Sequence, residues 1–135
     1  MKLINVDCDG VLLSNAHEIT LFTKVENEGF SLADSSQIWD WYSKLVETKP
    51  LDVNHYLMHF LQERKEEGHP IRLWTNRSYT LKDATLRNFG DYKSMFDSFK
   101  FHDGRKHLSQ VEGIVIDNTR KYLSCGEIGI HYEWR

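Results

Sequence analysis

Leu3-Ile4-Asn5-Val6-Asp7-Cys8-Asp9-Gly10-Val11-Leu12 is the stretch that decides the fold. A short, mostly apolar run rich in branched residues favours a buried strand. It leads directly into Asp-x-Asp-Gly. Two carboxylates at a strand end carry a large desolvation penalty unless a cation or a chemical task compensates them. Gly10 lets the chain turn sharply after them.

Moving outward, two more strands end in polar clusters. Residues 71–74, Ile-Arg-Leu-Trp, read as a strand that ends at Thr75-Asn76-Arg77, and residues 113–116 form an apolar run that ends at Asp117-Asn118-Thr119. Helical segments are expected over 18–28, 38–47, 79–89 and 106–111. Gly29 closes the first, Ser35 and Ser36 are cap candidates for the second, and Gly90 closes the third. Asp52 is a candidate cap for a further helix whose apolar face carries Tyr56, Leu57, Phe60 and Leu61. That helix stops at Gly68, with Pro70 beyond. Strands over 2–6, 98–101 and 128–131 complete the set. Alternating strands and helices argue for an α/β fold: a Rossmann-like three-layer sandwich on a mainly parallel five-stranded sheet. Sites in such sheets form outside the carboxyl ends of the strands, at a topological switch point. If the three strands are neighbours, Asp7 and Asp9, Thr75 and Asn76, and Asp117 and Asn118 converge on one spot.

The whole chain bounds this picture. Its 135 residues suit one domain, and 40% hydrophobic with 27% charged residues is an ordinary globular balance. A net charge of -3 gives no global field for nucleic acid or an anionic membrane. No apolar run approaches membrane-spanning length. Two cysteines, Cys8 and Cys125, do not make a disulfide framework. The expectation is a soluble cytoplasmic protein without a secretory leader. Cys8, between the two aspartates, is expected to point into the core by strand alternation. His55 and His59 lie four apart, but the metalloprotease pattern is missing, and surface or core histidines are the simpler reading.

Oxygen-only donors at the convergent site suit Mg2+ and water, and no Cys/His set has zinc spacing. A carboxylate beside a hydroxyl donor and a cation fits phosphoryl chemistry: attack on phosphorus, then acid–base help to the leaving alkoxide and to water. Thr75 and Asn76 can hold phosphate oxygens. For Arg77, capping the following helix and contacting the substrate are both open.

These motifs resemble those of the haloacid dehalogenase (HAD) superfamily of phosphatases. Asp7-Cys8-Asp9-Gly10-Val11-Leu12 is similar to its first motif, Leu73-Trp74-Thr75-Asn76 to its second, and Ile114-Val115-Ile116-Asp117-Asn118-Thr119 to its fourth. The third motif is a single cation. Lys106, 11 residues before Asp117, is preferred, with Lys100 and Arg105 as rivals. Lys106-His107-Leu108-Ser109 together with Asp117-Asn118-Thr119 also resembles the branch that dephosphorylates the tail of RNA polymerase II, although Asp-Gly-Val replaces that branch's Asp-Glu-Thr.

The resemblance implies Asp7 as nucleophile and metal ligand, and Asp9 as general acid/base that ligates Mg2+ through its carbonyl. It implies Thr75, with Asn76 and Arg77, at the phosphoryl group, Lys106 as the charge-stabilising cation, and Asp117 with Asn118 at the metal. Many members carry a further acid where this chain has Lys121, so a weaker Mg2+ site is expected. The implied activity is Mg2+-dependent hydrolysis of a phosphomonoester through an aspartyl-phosphate. The substrate class stays open among a small metabolite, a nucleotide, a nucleic-acid end and a phosphoprotein. A non-catalytic phosphate- and Mg2+-binding module and a phosphotransferase are the alternatives.

Asp7 and Thr75 are 68 positions apart. Within that span, residues 14–52 are expected to form a small helical insertion or lid. It carries Trp39, Trp41 and Tyr42, for which packing onto the core is preferred over stacking on a substrate ring.

Overall fold

The computed structural model describes residues 1–28 and 36–134. Five strands form one sheet in the order β3-β2-β1-β4-β5, and every pairing is parallel. The strands are β1 (Ile4–Val6), β2 (Ile71–Thr75), β3 (Ser98–Phe101), β4 (Ile114–Asp117) and β5 (Ile128–His131). The helices are α1 (Ala16–Glu28), α2 (Ser36–Thr48), α3 (His55–Glu66) and α4 (Lys82–Phe89).

β1 is therefore central, flanked by β2 and β4, and this is the neighbour relation that convergence requires. Val6 pairs with Leu73 on one side and Ile116 on the other. The strand ends are thus level, and the reversal of chain order on either side of β1 opens a crevice beyond Asp7.

The two faces of the sheet are covered differently. Ile4, Val6, Ile71, Leu73 and Ile116 face a core completed by Leu57, Met58 and Leu61 of α3 and by Phe89 and Phe96. On the opposite face Trp74 and Val115 pack against Tyr122 and Cys125, which belong to the 3-10 segment Arg120–Cys125. Helices α1 and α2 have a smaller core. Leu21, Ile38, Tyr42 and Val46 pack there against Leu81 and against Ala84 of α4.

Several local expectations shift. Asn54, not Asp52, caps α3: its side-chain oxygen accepts the Leu57 N–H at 3.0 Å. Asp52 instead gives its backbone carbonyl to Ser14. α3 packs through Leu57, Met58 and Leu61, whereas Tyr56 is 84% exposed and Phe60 lies outside under the Arg64 guanidinium. The helix expected over 106–111 is one 3-10 turn, Lys106–Leu108. The segment over 79–89 is a 3-10 turn, Tyr79–Leu81, followed by α4. Gly29 and Ser35 lie outside the described residues, and α2 begins at Ser36.

Candidate functional site

Past β1 the chain makes a tight turn. The N–H groups of Val11, Leu12 and Leu13 all point at the Cys8 carbonyl. Gly10 sits in this turn at φ +82, and a Cβ there would run into the Asn118 side-chain amide. The turn buries Cys8, Val11, Leu12 and Leu13 in the core and leaves Asp7 and Asp9 at the crevice. Burial also pushes the Cys8 thiol well up, so it is inert at neutral pH.

Two strand ends meet at one ammonium group. Lys106 Nζ donates to Asp7 Oδ1 and to Asp117 Oδ2, each at 2.7 Å. All three side chains are buried, Lys106 to 1% exposure. The ammonium also lies 4.3 Å from the centre of the Trp74 ring. Asp117 Oδ1 accepts the Thr119 N–H at 2.9 Å, which fixes that carboxylate from its other side. Asn76 holds the lysine's backbone, since its Oδ1 accepts the Lys106 N–H at 2.9 Å while its Nδ2 donates to the Tyr122 hydroxyl.

Burial works against the charge on Lys106, but Asp7 and Asp117 outweigh it and hold the ammonium above its ordinary range. Burial also dominates at Asp7. It is opposed by Lys106 and aided by Asp117 and Asp9, and the carboxyl is pushed up to about 7. Both shifts follow from one shortage: a single cation serves two buried carboxylates.

A second cation lies beside the first group. Arg77 clamps Asp9 with two bonds, Nε to Oδ2 at 2.9 Å and Nη2 to Oδ1 at 2.7 Å. Its third arm, Nη1, donates to Thr85 Oγ1 on α4 at 2.9 Å, and Thr85 in turn donates to the Leu81 carbonyl. Arg77 is 5% exposed. Burial opposes its charge, but Asp9 holds the guanidinium well above its usual value. The Arg77 N–H also bonds Thr75 Oγ1 at 3.1 Å, so Thr75 and Arg77 form one unit at the end of β2.

The structure therefore gathers Asp7, Asn76, Lys106 and Asp117 in one hydrogen-bonded group and Asp9, Thr75 and Arg77 in a second beside it, with Asn118 against Gly10. Lys100 and Arg105, the rival cations, line a different groove with Arg72 and His102. His55 and His59 both bond the Tyr92 hydroxyl, outside this cluster.

Among the described residues no three His, Cys, Asp or Glu side chains are arranged around a metal position. The donors available at the strand ends are the carboxylates of Asp7 and Asp117, the Asp9 carbonyl and the Asn118 amide oxygen. A Mg2+ ion commonly takes one or two carboxylates and completes its shell with water and substrate phosphate. This hard-oxygen set fits that requirement, and the uncompensated charge at Asp7 is what a divalent cation would relieve.

A cleft of about 760 Å3 opens from the cluster. Asp9, Asn76 and Arg77 line one part of it, and α1 and α2 line another through Glu18, Phe22, Trp39, Asp40 and Tyr42. Burial, then the charges of Asp9 and Asp7, push the Glu18 carboxyl up to about 8. Glu18 was not legible in the sequence, where nothing sets it apart from the other acids. Of the three aromatics singled out in the insertion, Tyr42 and Trp41 pack within the small core, whereas Trp39 is 43% exposed at the cleft.

The fold matches the crystal structure of a HAD-superfamily hydrolase, subfamily IA, variant 1, from Geobacter sulfurreducens PCA. The TM-score is 0.60 and the identity 16%, over 98% of this chain and 89% of that one. At that identity the likeness shows the fold alone, and the fold is HAD-like. No protein-family model matches the chain, and no curated protein matches it in sequence.

Proposed function

We propose that the protein is a Mg2+-dependent phosphomonoester hydrolase that works through an aspartyl-phosphate on Asp7. The observation that carries this reading is Lys106 bridging Asp7 and Asp117 at two level strand ends, with Thr75 at the third. An ordinary structural ion pair does not need one lysine held against two buried carboxylates at adjacent strand ends.

In the first step an Asp7 carboxylate oxygen attacks phosphorus. The bond from phosphorus to the ester oxygen breaks, and the alcohol leaves with a proton from Asp9. In the second step water attacks the phosphorus of the acyl-phosphate, Asp9 takes its proton, and phosphate departs as Asp7 is restored. Lys106 and the Thr75 hydroxyl stabilise the charge on the transferring group. Mg2+, held by Asp7, the Asp9 carbonyl and Asp117 or Asn118, would neutralise phosphate charge and help to orient the group. With Lys121 where many HAD members have an acid, half-saturation by Mg2+ is expected above the low micromolar range.

The Asp9–Arg77 clamp supports one second reading, a phosphate- and Mg2+-binding module without turnover, because it occupies both oxygens of the general acid. Hydrolysis of a simple aryl phosphate with and without Mg2+ separates the two. The hydrolase reading expects Mg2+-dependent turnover that Asp7→Asn lowers at least about a thousandfold. Phosphate and Mg2+ binding without turnover of any ester would favour the module. Both cysteines are unpaired and buried, which supports a reducing, cytoplasmic setting. Among the described residues no helix is long and apolar enough to cross a membrane.

A further inference from the structure

We propose that the cleft beside Asp9 selects a phosphomonoester whose alcohol carries a planar aromatic ring and no second anionic group, the chemistry of a nucleoside monophosphate. This rests on the hydrolase reading for the phosphate end and adds the identity of the leaving group.

The cleft joins two unlike surfaces. Its inner end is the phosphoryl machinery at Asp9, Asn76 and Arg77, and its outer wall is aromatic. Phe22 on α1 is 56% exposed and Trp39 on α2 is 43% exposed, both within the same cleft. Aromatic surface exposed within a concavity is surface that a ligand can cover. The indole is also braced: Tyr42 meets Trp39 edge-on, with ring centres 6.1 Å apart and planes at 89°. A braced ring loses little freedom on stacking. The volume, about 760 Å3, suits a nucleoside-sized group.

Charge sets the second half of the selection. Among the described residues the lining carries, besides Asp9, the carboxyl groups of Asp40 and Asp103, whereas its one cation, Arg77, already clamps Asp9. A second phosphate or a carboxylate on the leaving group would meet like charge without a compensating cation. Hydroxyl and amino groups, by contrast, can donate to those acids.

The test compares kcat/KM for a nucleoside 5′-monophosphate, ribose 5-phosphate and a nucleoside 3′,5′-bisphosphate. The ring should confer at least about a tenfold preference over ribose 5-phosphate, which Trp39→Ala cuts below about threefold and Trp39→Phe largely keeps. The bisphosphate should lag by about tenfold, and Asp40→Asn combined with Asp103→Asn should narrow that gap. Equal turnover of the nucleoside ester and ribose 5-phosphate would overturn the inference while leaving the hydrolase reading intact. If no ester is turned over, the hydrolase reading fails, and calorimetric titration still decides the cleft. Tighter binding of the nucleoside monophosphate than of ribose 5-phosphate, lost in Trp39→Ala, supports the inference; equal binding overturns it.

Discussion

The two buried cations of the site are neighbours with opposite economies of charge. Lys106 is shared by Asp7 and Asp117, so its half of the site carries an excess negative charge. Arg77 pairs bidentately with Asp9 alone and places its remaining arm on a neutral hydroxyl, Thr85. The first half is unfinished electrically and calls for a further cation. The second is balanced and closed. The difference teaches that the two aspartates of the first motif, two positions apart in sequence, are prepared for different tasks. Asp7 shares its one cation with Asp117, and Asp9 is held in one orientation by a planar fork.

The largest effect should come from Lys106→Met, which uncovers two buried carboxylates at once. It is expected to cost about 3–5 kcal/mol in urea unfolding, with activity lost. Adding Asp117→Asn should recover part of that cost; no recovery would mean that the lysine's charge is not what stabilises the pair. Arg77→Met exposes only Asp9 and should cost about 3 kcal/mol, the lower end of the range for breaking a buried pair. Arg77→Lys should keep some stability yet lose the fork, lowering kcat more than it raises KM. Equal costs for Lys106→Met and Arg77→Met would erase the distinction drawn between the two halves.

A smaller effect concerns pH in the presence of a chelator. The Asp7 carboxyl, pushed up from 3.8 to about 7, loses its proton later in the folded protein than in the unfolded chain. Its contribution to stability is thus full below about 3.8 and is lost as pH rises through about 7. Thermal midpoints of wild type should therefore fall relative to Asp7→Asn between those limits. A pH-independent gap would contradict the charge shortage. The smallest effect is expected for Thr85→Val, about 1 kcal/mol, because it removes one neutral acceptor from an arginine that keeps its carboxylate.

Much of this site was legible in the sequence, and the reasons are physical. A strand buried on both faces reads as a mostly apolar run, so β1, β2 and β4 stood out despite Asn5 and Arg72, and the polar residues that ended them had to share an edge if the strands were neighbours. Lys106 could be preferred because the resemblance supplied its distance from Asp117. The partner of Arg77 could not be found that way. Asp9 lies 68 positions away, and no local pattern encodes which of several acids a guanidinium will meet.

The face of α3 was misread for a related reason. Tyr56 and Phe60 share helical spacing with Leu57 and Leu61, but Phe60 lies under Arg64 and Tyr56 in solvent, while Met58 completes the buried stripe. The cap of that helix was decided by tertiary contacts as well. Asn54 also donates to the Tyr132 hydroxyl near the end of the chain, a bond that Asp52 does not make. The aromatic and acidic wall of the cleft follows from how α1 and α2 pack on α4, which composition does not disclose.

The most direct measurement is to trap the phosphorylated protein. Wild type is mixed with Mg2+ and a phosphomonoester, quenched in acid within the first turnover and mapped by mass spectrometry. A phosphoryl group on the peptide that contains Asp7, released by hydroxylamine and missing in Asp7→Asn, is the expected result. Turnover with no phosphoryl group on that peptide, or with Asp7→Asn as active as wild type, would contradict the assignment of Asp7 as nucleophile.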